Sequence, residues 1–153
     1  MKEYKQLGAY GLIIKENKIL LIKKVGGPYD KKFDLPGGTI EFCERPEETL
    51  KRELLEEVGI EVLNFELFDA DSVCFQWNYK EDILVKVHHM GIFFKVLKYK
   101  NKIRKNIEID SKNNDSLGAE WHEISTLSKN ELSSIAIFEL EKLGYNINKI
   151  INL

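Results

Sequence analysis

The segment GGTIEFCERPEETLKRELLEEVGI, residues 37–60, decides the fold because it joins a glycine-rich loop to a strongly patterned helix. Proline at the start, glutamate in the first turn and Gly59 after the last patterned residue are typical of a helix over residues 46–58. The apolar residues of this helix recur every four positions, at Leu50, Leu54 and Val58. This spacing predicts an apolar stripe that packs against a sheet.

The same predicted helix carries five glutamates. Glu53, Glu56 and Glu57 stand at i, i+3 and i+4, so their carboxylates share one face. Like charges at this spacing destabilise a helix by roughly a few tenths of a kcal/mol per pair. A hard divalent cation reverses the sign of this effect, because Mg²⁺ prefers carboxylate oxygens. The alternative that the residues alone leave open is a solvated acidic face with Lys51 and Arg52 as counter-ions.

The fixed residues of the segment follow the pattern G-x5-E-x7-R-E-U-x-E-E-x-G-U, where U is aliphatic. The residues that match it are Gly38, Glu44, Arg52, Glu53, Leu54, Glu56, Glu57, Gly59 and Ile60. The segment therefore resembles the signature box of the Nudix hydrolases, a superfamily that includes the MutT-type enzymes. The resemblance implies one domain over residues 1–153 with its box at 38–60, and an α/β (α+β) fold: an α/β/α sandwich with a mixed sheet between helices.

The resemblance also implies an activity, the Mg²⁺-dependent hydrolysis of a diphosphate bond in a nucleoside diphosphate linked to another moiety, X, with Mn²⁺ able to substitute. A nucleoside triphosphate cleaved in the MutT manner is favoured over ADP-ribose and other sugar nucleotides. A second hypothesis is a catalytically silent Nudix module that binds a nucleotide and regulates a partner. Such modules often lose acids of the box, whereas Glu44, Glu53, Glu56 and Glu57 are all present here.

Three acids of the helix acquire a role from the resemblance. Glu56 and Glu57 match the metal-binding pair of the family. Glu53 matches a third metal ligand or the base that deprotonates the attacking water. The backbone carbonyl of Gly38 or Gly37 is a further candidate ligand, because glycine permits close backbone approach.

The residues around these acids support the site. Arg52 matches a position that pairs with an acid of the box, here Glu44, and so holds the loop on the helix. Glu41 fits an acidic position at the rim of the loop, and we predict that it binds substrate indirectly through water.

Many members of the family carry a further catalytic acid in a later loop. Asp115, six residues before Trp121, fits this arrangement, with Glu120 or Asp110 as substitutes. The alternative is a turn-forming aspartate in a polar loop.

Three aromatic residues, Phe75, Trp77 and Tyr79, alternate along a predicted strand and would share one of its faces. Phe75 and Trp77 are candidates for stacking on the base of the substrate, although core packing is the more frequent role of aromatic residues at this spacing. In the neighbouring strand, one of His88 and His89 should point inward, and a core histidine is favoured over a catalytic one.

Cys43 departs from the family pattern, which often has glycine directly before the first glutamate of the box. Because glycine there serves a positive φ, Cys43 implies either a different local turn or some strain. Cys74 is distant and no CxxC motif occurs, so neither a disulfide framework nor a structural zinc site is predicted.

The rest of the chain predicts strands interrupted by helices. The predicted elements are a hairpin over 8–24, a loop over 25–38, strands within 60–77 and 83–99, an exposed loop over 100–115 and a helix over 131–146.

Composition narrows the functional classes. The chain is 43% hydrophobic and 31% charged, with a net charge of -2. No basic field favours stable nucleic-acid binding, and the longest apolar runs are too short to span a bilayer. The first residues lack the apolar core of a signal peptide. We therefore expect a cytoplasmic protein. The resemblance implies a nucleotide-type small molecule as its partner, and we expect a monomer or a homodimer.

Overall fold

A computed structural model describes residues 1–104 and 116–147 of the chain. Its strands are β1 (Lys2–Leu12), β2 (Ile14–Lys15), β3 (Lys18–Lys24), β4 (Phe33–Asp34), β5 (Gly37–Thr39), β6 (Glu61–Lys80), β7 (Ile83–Lys100) and β8 (Ser116–Glu123). Its helices are α1 (Pro46–Val58) and α2 (Ser134–Lys142), and a 3-10 turn covers Ile124–Thr126. The predicted acid Asp115 and its substitute Asp110 lie outside the described residues.

Two sheets organise the fold. The first has the order β5-β1-β7-β6 and is mixed, because β1 and β7 run parallel while the other pairs are antiparallel. In the second, β3 pairs with β8 along one edge and with β2 and β4 along the other. The long antiparallel pair of β6 and β7 supplies much of the first sheet, and β5 places the glycine-rich loop at its opposite edge.

Both faces of the sheets are buried, each under one helix. The apolar stripe of α1 packs with Ala9 and Phe94 in one core cluster, whereas Leu140 of α2 packs with Tyr10 and Phe93 in the other. Neighbouring strand residues belong to opposite clusters because side chains alternate along a strand. The fold is therefore an α/β/α sandwich, as predicted.

Helix α1 has the predicted bounds. Pro46 occupies the first turn, and Gly59 ends the helix in the left-handed conformation with φ 82°, where its N–H donates to the carbonyls of Leu54 and Leu55. The predicted stripe is completely buried, with Leu50, Leu54 and Val58 each 0% exposed. Local signals thus define this helix at both ends.

Several other boundaries differ from the predictions. Only β2 and β3 form the hairpin predicted over 8–24, while residues 8–12 pair with β7 in the other sheet. The predicted loop 25–38 contains β4 and the beginning of β5. Helix α2 is shorter than the predicted 131–146, because Ser133 caps it by accepting from Ala136 N–H. Strand β8 was not predicted.

Neither helix in the described part of the chain is long and apolar enough to cross a bilayer.

Candidate active site

The glycine-rich loop lies directly on the acidic face of α1. Strand β5 pairs with β1 so that Gly37 and Gly38 face Tyr10 and Ala9. A Cβ on Gly38 would be 2.6 Å from the carboxylate of Glu53, and a Cβ on Gly37, with φ 147°, would be 2.2 Å from the Ala9 carbonyl oxygen. Only glycine permits this approach of loop, strand and helix.

Glu57 is the buried acid of this face, only 4% exposed. Its Oε1 accepts a hydrogen bond of 3.0 Å from the backbone N–H of Gly37. A carboxylate held by a backbone donor has a fixed position, which a ligand or base of an active site requires. The helix and the loop are therefore tied together at a predicted metal ligand.

Arg52 and Glu44 form the predicted pair. Arg52 donates from Nε to Glu44 Oε2 at 2.8 Å and from Nη2 to Glu44 Oε1 at 2.9 Å, a bidentate arrangement. Arg52 Nη2 also donates to the carbonyl of Thr39, so the same side chain holds β5. The hydrogen bond from Arg52 lowers the pKa of Glu44 to about 2, with a further contribution from the Thr49 hydroxyl. This pair locks the loop that precedes α1 onto the helix.

The remaining nitrogen of Arg52 faces the other acids of the site. Nη1 lies 2.8 Å from Glu53 Oε1, 3.5 Å from Glu56 Oε2 and 3.7 Å from Glu41 Oε1. Arg52 is therefore a counter-ion shared by the acids of the site. The solvated-face alternative assigned this role to Arg52 together with Lys51.

The donors of this face have the chemistry that a hard divalent cation requires. Carboxylate oxygens of Glu53, Glu56 and Glu57 lie on one helix, and the Gly38 backbone approaches Glu53 without a side chain between them. Within residues 1–104 and 116–147, no three acidic, histidine or cysteine side chains are already gathered at ligand spacing. By donor type, and by the approach of the Gly38 backbone to Glu53, the residues fit such a cation.

A cavity of about 910 Å³ opens over this face. Glu41, Glu53, Glu56 and Glu57 line it on the side of α1. The other side is lined by polar and aromatic residues, among them Gln6, Tyr10, Tyr29 and His89, together with the charged residues Lys24 and Asp34. The volume suits a nucleotide-sized ligand, since ligand cavities of roughly 300–1,000 Å³ are typical.

The other predicted residues lie away from this cavity or outside the described chain. Phe75 is partly buried, and its ring centroid lies 5.4 Å from that of Tyr29, so it supports the wall from behind. Trp77 contacts the ring of Tyr79 edge-on, further along the same face of β6. Neither is among the described residues that line the cavity. Their contact with a base stays a prediction, as does the role of Asp115.

Two features of the site were not predicted. Arg104, at the end of the first described segment, donates from Nη2 to the carbonyl of Leu55 at 2.6 Å and to that of Glu56 at 3.3 Å. His89 is buried between Tyr10 and Tyr29, although only its inward orientation was expected. Arg104 follows a lysine-rich stretch without a motif, and the tyrosines are far from His89 in sequence, so no local signal identifies them.

The family model of the NUDIX domain matches residues 5–141, and the chain therefore belongs to the Nudix family. An ADP-ribose pyrophosphatase of Methanocaldococcus jannaschii is 50% identical over 50 residues, 33% of this chain and 30% of that protein. An 8-oxo-dGTP diphosphatase of Haemophilus influenzae is 38% identical over 78 residues, 50% of this chain and 54% of that protein. The chain thus spans about a third and about half of the length of these curated relatives.

Among solved structures, a MutT NUDIX hydrolase from Burkholderia pseudomallei superposes with a TM-score of 0.71 at 20% identity. The match covers 92% of this chain and 98% of that one. At this identity the likeness shows a shared fold.

Proposed function

We propose that the chain hydrolyses a diphosphate bond in a nucleotide, with Mg²⁺ bound by the acidic face of α1 and Mn²⁺ able to substitute. The observation that carries the proposal is the opening of Glu53, Glu56 and Glu57 into one cavity beside the glycine backbone of β5. Family membership supports the same chemistry, since both curated relatives are named for hydrolysing diphosphate compounds.

The cation would be held by Glu53, Glu56, Glu57 and the Gly38 carbonyl. When bound, it supplies positive charge to the diphosphate and makes water more acidic. We assign to Glu53, whose carboxylate lies against the Gly38 backbone, the alternative role of the base that accepts the proton of the attacking water. The water oxygen forms a bond to one phosphorus, the bridging P–O bond breaks, and the leaving phosphate takes its electron pair. Arg52 and Glu44 keep the loop in place throughout.

A nucleoside triphosphate is the favoured substrate class, released as a monophosphate and pyrophosphate. The relative named 8-oxo-dGTP diphosphatase aligns over half of this chain, more than the relative named ADP-ribose pyrophosphatase. ADP-ribose is the second candidate, because the relative named ADP-ribose pyrophosphatase has the higher sequence identity, although over a shorter match.

The test is a screen of purified chain for release of phosphate or pyrophosphate. The panel contains nucleoside triphosphates, 8-oxo-dGTP, ADP-ribose, other sugar nucleotides and dinucleoside polyphosphates, each with Mg²⁺, with Mn²⁺ and with chelator. We expect metal-dependent turnover of at least one class, and the highest kcat/KM identifies X.

Absence of metal-dependent turnover on every compound would contradict the proposal. Calorimetric titration of the same panel then distinguishes the alternative, a silent module that binds a nucleotide and regulates a partner.

A further inference from the structure

Three buried side chains form a continuous hydrogen-bonded chain in the wall of the cavity, here called the tyrosine–histidine chain. His89 Nε2 lies 2.5 Å from the hydroxyl oxygen of Tyr10, and His89 Nδ1 lies 2.9 Å from the hydroxyl oxygen of Tyr29. All three residues line the cavity, although they are only 2–6% exposed. Both ring nitrogens of the histidine are thus occupied by tyrosine hydroxyls.

The wall is built to hold these rings. Tyr10 stacks on Phe93 with centroids 5.7 Å apart, and the ring of Tyr10 lies over Gly8, where a Cβ would be 2.4 Å from the hydroxyl oxygen. Gly8 pairs with Gly91 across β1 and β7, and a Cβ on Gly91 would be 2.3 Å from the Phe93 ring. Two paired glycines therefore make room for two stacked aromatic rings.

The three side chains of the tyrosine–histidine chain are uncharged at neutral pH. Burial, with a contribution from Lys24, lowers the pKa of His89 to about 4, so the imidazole is neutral. Burial and the negative charge of Asp34 raise the pKa of Tyr10 and that of Tyr29, so both hydroxyls keep their hydrogens. A hydrogen bond with Ser134 opposes this rise at Tyr29 without cancelling it.

The hydrogens on His89 and the two tyrosines determine which tyrosine donates a hydrogen bond to the ring and which accepts one. A neutral imidazole has one N–H and one bare nitrogen. One tyrosine therefore donates to the ring while the other accepts from it, and the accepting tyrosine keeps its own hydrogen for a partner outside the chain. Moving the histidine proton between its two nitrogens exchanges these roles, so each tyrosine can turn from donor to acceptor.

The two ends of the chain face different parts of the cavity. Tyr10 is the end next to the acidic face, because it pairs with Gly37, whose N–H donates to Glu57. Tyr29 is bonded to the other ring nitrogen of His89. Tyr29 is therefore the end away from the acidic face. Around it the cavity is lined by Val25, Gly26, Gly27 and Pro28, with the charged side chains of Lys24 and Asp34 beside them.

We propose that the tyrosine–histidine chain recognises the polar edge of the nucleobase through Tyr29, and that it accepts bases of either hydrogen-bonding pattern. The inference rests on the proposed function. Adenine carries an amino donor where guanine carries a carbonyl acceptor, and the chain meets both by exchanging the tautomer of His89. Selectivity between adenine and guanine nucleotides is then weak, with kcat/KM within about tenfold, because neither base leaves a buried polar group unpaired.

The first experiment uses the wild-type chain with ¹⁵N-labelled histidine and NMR. Non-hydrolysable adenine and guanine nucleotides of the class identified by the activity screen are added in turn. We expect one protonated ring nitrogen of His89 in each complex, on opposite nitrogens in the two. The same tautomer in both complexes, or ring shifts unchanged from the free chain, would overturn the proposal.

The second experiment is kinetic. Tyr29→Phe should lower kcat/KM for adenine and guanine nucleotides alike by roughly threefold to tenfold, the value of one hydrogen bond between neutral groups. A benzimidazole nucleotide, which keeps the stacking surface but lacks the polar edge, should be unaffected. Tyr99→Phe, a partly buried tyrosine of β7 that packs in the α1 core, is the matched control.

Two results would contradict the proposal here. An equal loss for the benzimidazole nucleotide would assign Tyr29 to the sugar or to the shape of the wall. A loss confined to one base would mean a hydrogen-bonding pattern of fixed direction. Both presuppose an active wild-type chain, so they are distinct from failure of the proposed function, in which the wild type turns over nothing.

Discussion

At the scale of single residues, the neighbouring acids Glu56 and Glu57 occupy very different environments. Glu57 is buried and accepts a hydrogen bond from Gly37 N–H, whereas the side chain of Glu56 is 60% exposed and lies 3.5 Å from Arg52. Burial fixes the first carboxylate, while the second remains free to reorient toward a cation. A metal site built from both would combine one rigid ligand with one adaptable ligand.

We predict that Glu56→Gln and Glu57→Gln each lower turnover at least about tenfold, because loss of a metal ligand or its support typically costs 10–100-fold. The measurement is metal-dependent turnover at saturating nucleotide, with circular dichroism to confirm that α1 is folded. Glu48→Gln is the matched control, since Glu48 accepts from the Arg45 N–H at the start of the helix and the amide can do the same. If both glutamine variants kept wild-type rates, the metal site would lie elsewhere.

Cys43 illustrates a question that the sequence raised but could not answer. Its φ is 62°, so the left-handed turn that glycine would favour is kept by a cysteine. A side chain in this conformation costs roughly 1–2 kcal/mol relative to the right-handed one. The positive φ therefore agrees with the second alternative, a strained backbone at Cys43, in a loop that Arg52 holds on both sides through the Thr39 carbonyl and Glu44.

At the scale of elements, the sequence predicts a helix whose signals are local, but it does not predict which distant strands pair. Helix α1 was predicted residue for residue because its start, stripe and glycine stop lie within one short segment. The hairpin over 8–24 was wrong in part because residues 8–12 pair with β7, which follows much later in the chain. The same distinction holds in the site: Arg52 and Glu44 are eight residues apart, whereas Tyr29 and His89 are 60 apart.

The C-terminal end of α1 depends on a residue from outside the helix. The last turn of α1 contains no basic residue. Arg104 provides the missing charge: its Nη2 donates to the carbonyls of Leu55 and Glu56. The backbone N–H of Arg104 donates to the carbonyl of Val58. A Cβ on Gly59 would be 2.6 Å from Arg104 Nε, so the glycine also makes room for the guanidinium. Arg104 is thus a positioning residue for the turn that bears Glu56 and Glu57.

We predict that Arg104→Ala lowers the free energy of unfolding by about 1 kcal/mol, the value of a cation at a helix C-terminus. It should also raise the Mg²⁺ concentration needed for half-maximal activity, because the backbone that bears Glu56 loses its anchor. Arg104→Lys should restore the free energy of unfolding more fully than it restores activation by Mg²⁺. The ammonium keeps the positive charge, but it lacks the planar guanidinium group that reaches both carbonyls. Thermal unfolding and Mg²⁺ titration of activity measure the two effects.

The control for this prediction is Arg45→Ala, at the opposite end of the same helix. The side chain of Arg45 is 76% exposed, and its Nε lies 3.8 Å from Glu47 Oε2. Mg²⁺ activation should be unchanged in this variant. An Arg104→Ala chain that loses stability but keeps wild-type Mg²⁺ activation would limit Arg104 to a structural role.

At the scale of the whole molecule, α1 and α2 cover opposite faces of the sheets, and the charged groups on the two sides are arranged differently. On the side of α2, Glu139 is 1% exposed and faces Asp69 and Asp71 of β6, with Lys142 as the cation of the group. Lys142 Nζ donates to Asp71 Oδ2 at 2.6 Å and to Asp69, but lies 3.9 Å from Glu139 Oε1. Burial, the hydrogen bond with Asp69 and its negative charge raise the pKa of Glu139 to about 8. The α2 face is therefore held by a carboxylic acid that is neutral at pH 7.

This arrangement makes the stability of the molecule depend on pH. Between the ordinary pKa of 4.5 and about 8, folded Glu139 binds a proton that the unfolded chain has released. The free energy of unfolding therefore falls as pH rises through this window. Glu44 acts in the opposite direction, since its pKa of about 2 gives a contribution that is present above 4.5 and lost as pH falls toward 2.

We predict that Glu139→Gln removes the decline between pH 4.5 and 8, because an amide keeps the hydrogen bond to Asp69 without a proton to lose. The variant should unfold at nearly the same temperature as the wild type at pH 4.5, and at a higher temperature at pH 8.5. Thermal unfolding followed by circular dichroism across this range is the measurement. Glu141→Gln, an exposed acid of the same helix paired with Lys129 at 3.3 Å, should leave the pH profile unchanged. Parallel profiles for wild type and Glu139→Gln would show instead that Glu139 is ionised in the folded chain, with Lys142 neutralising all three acids.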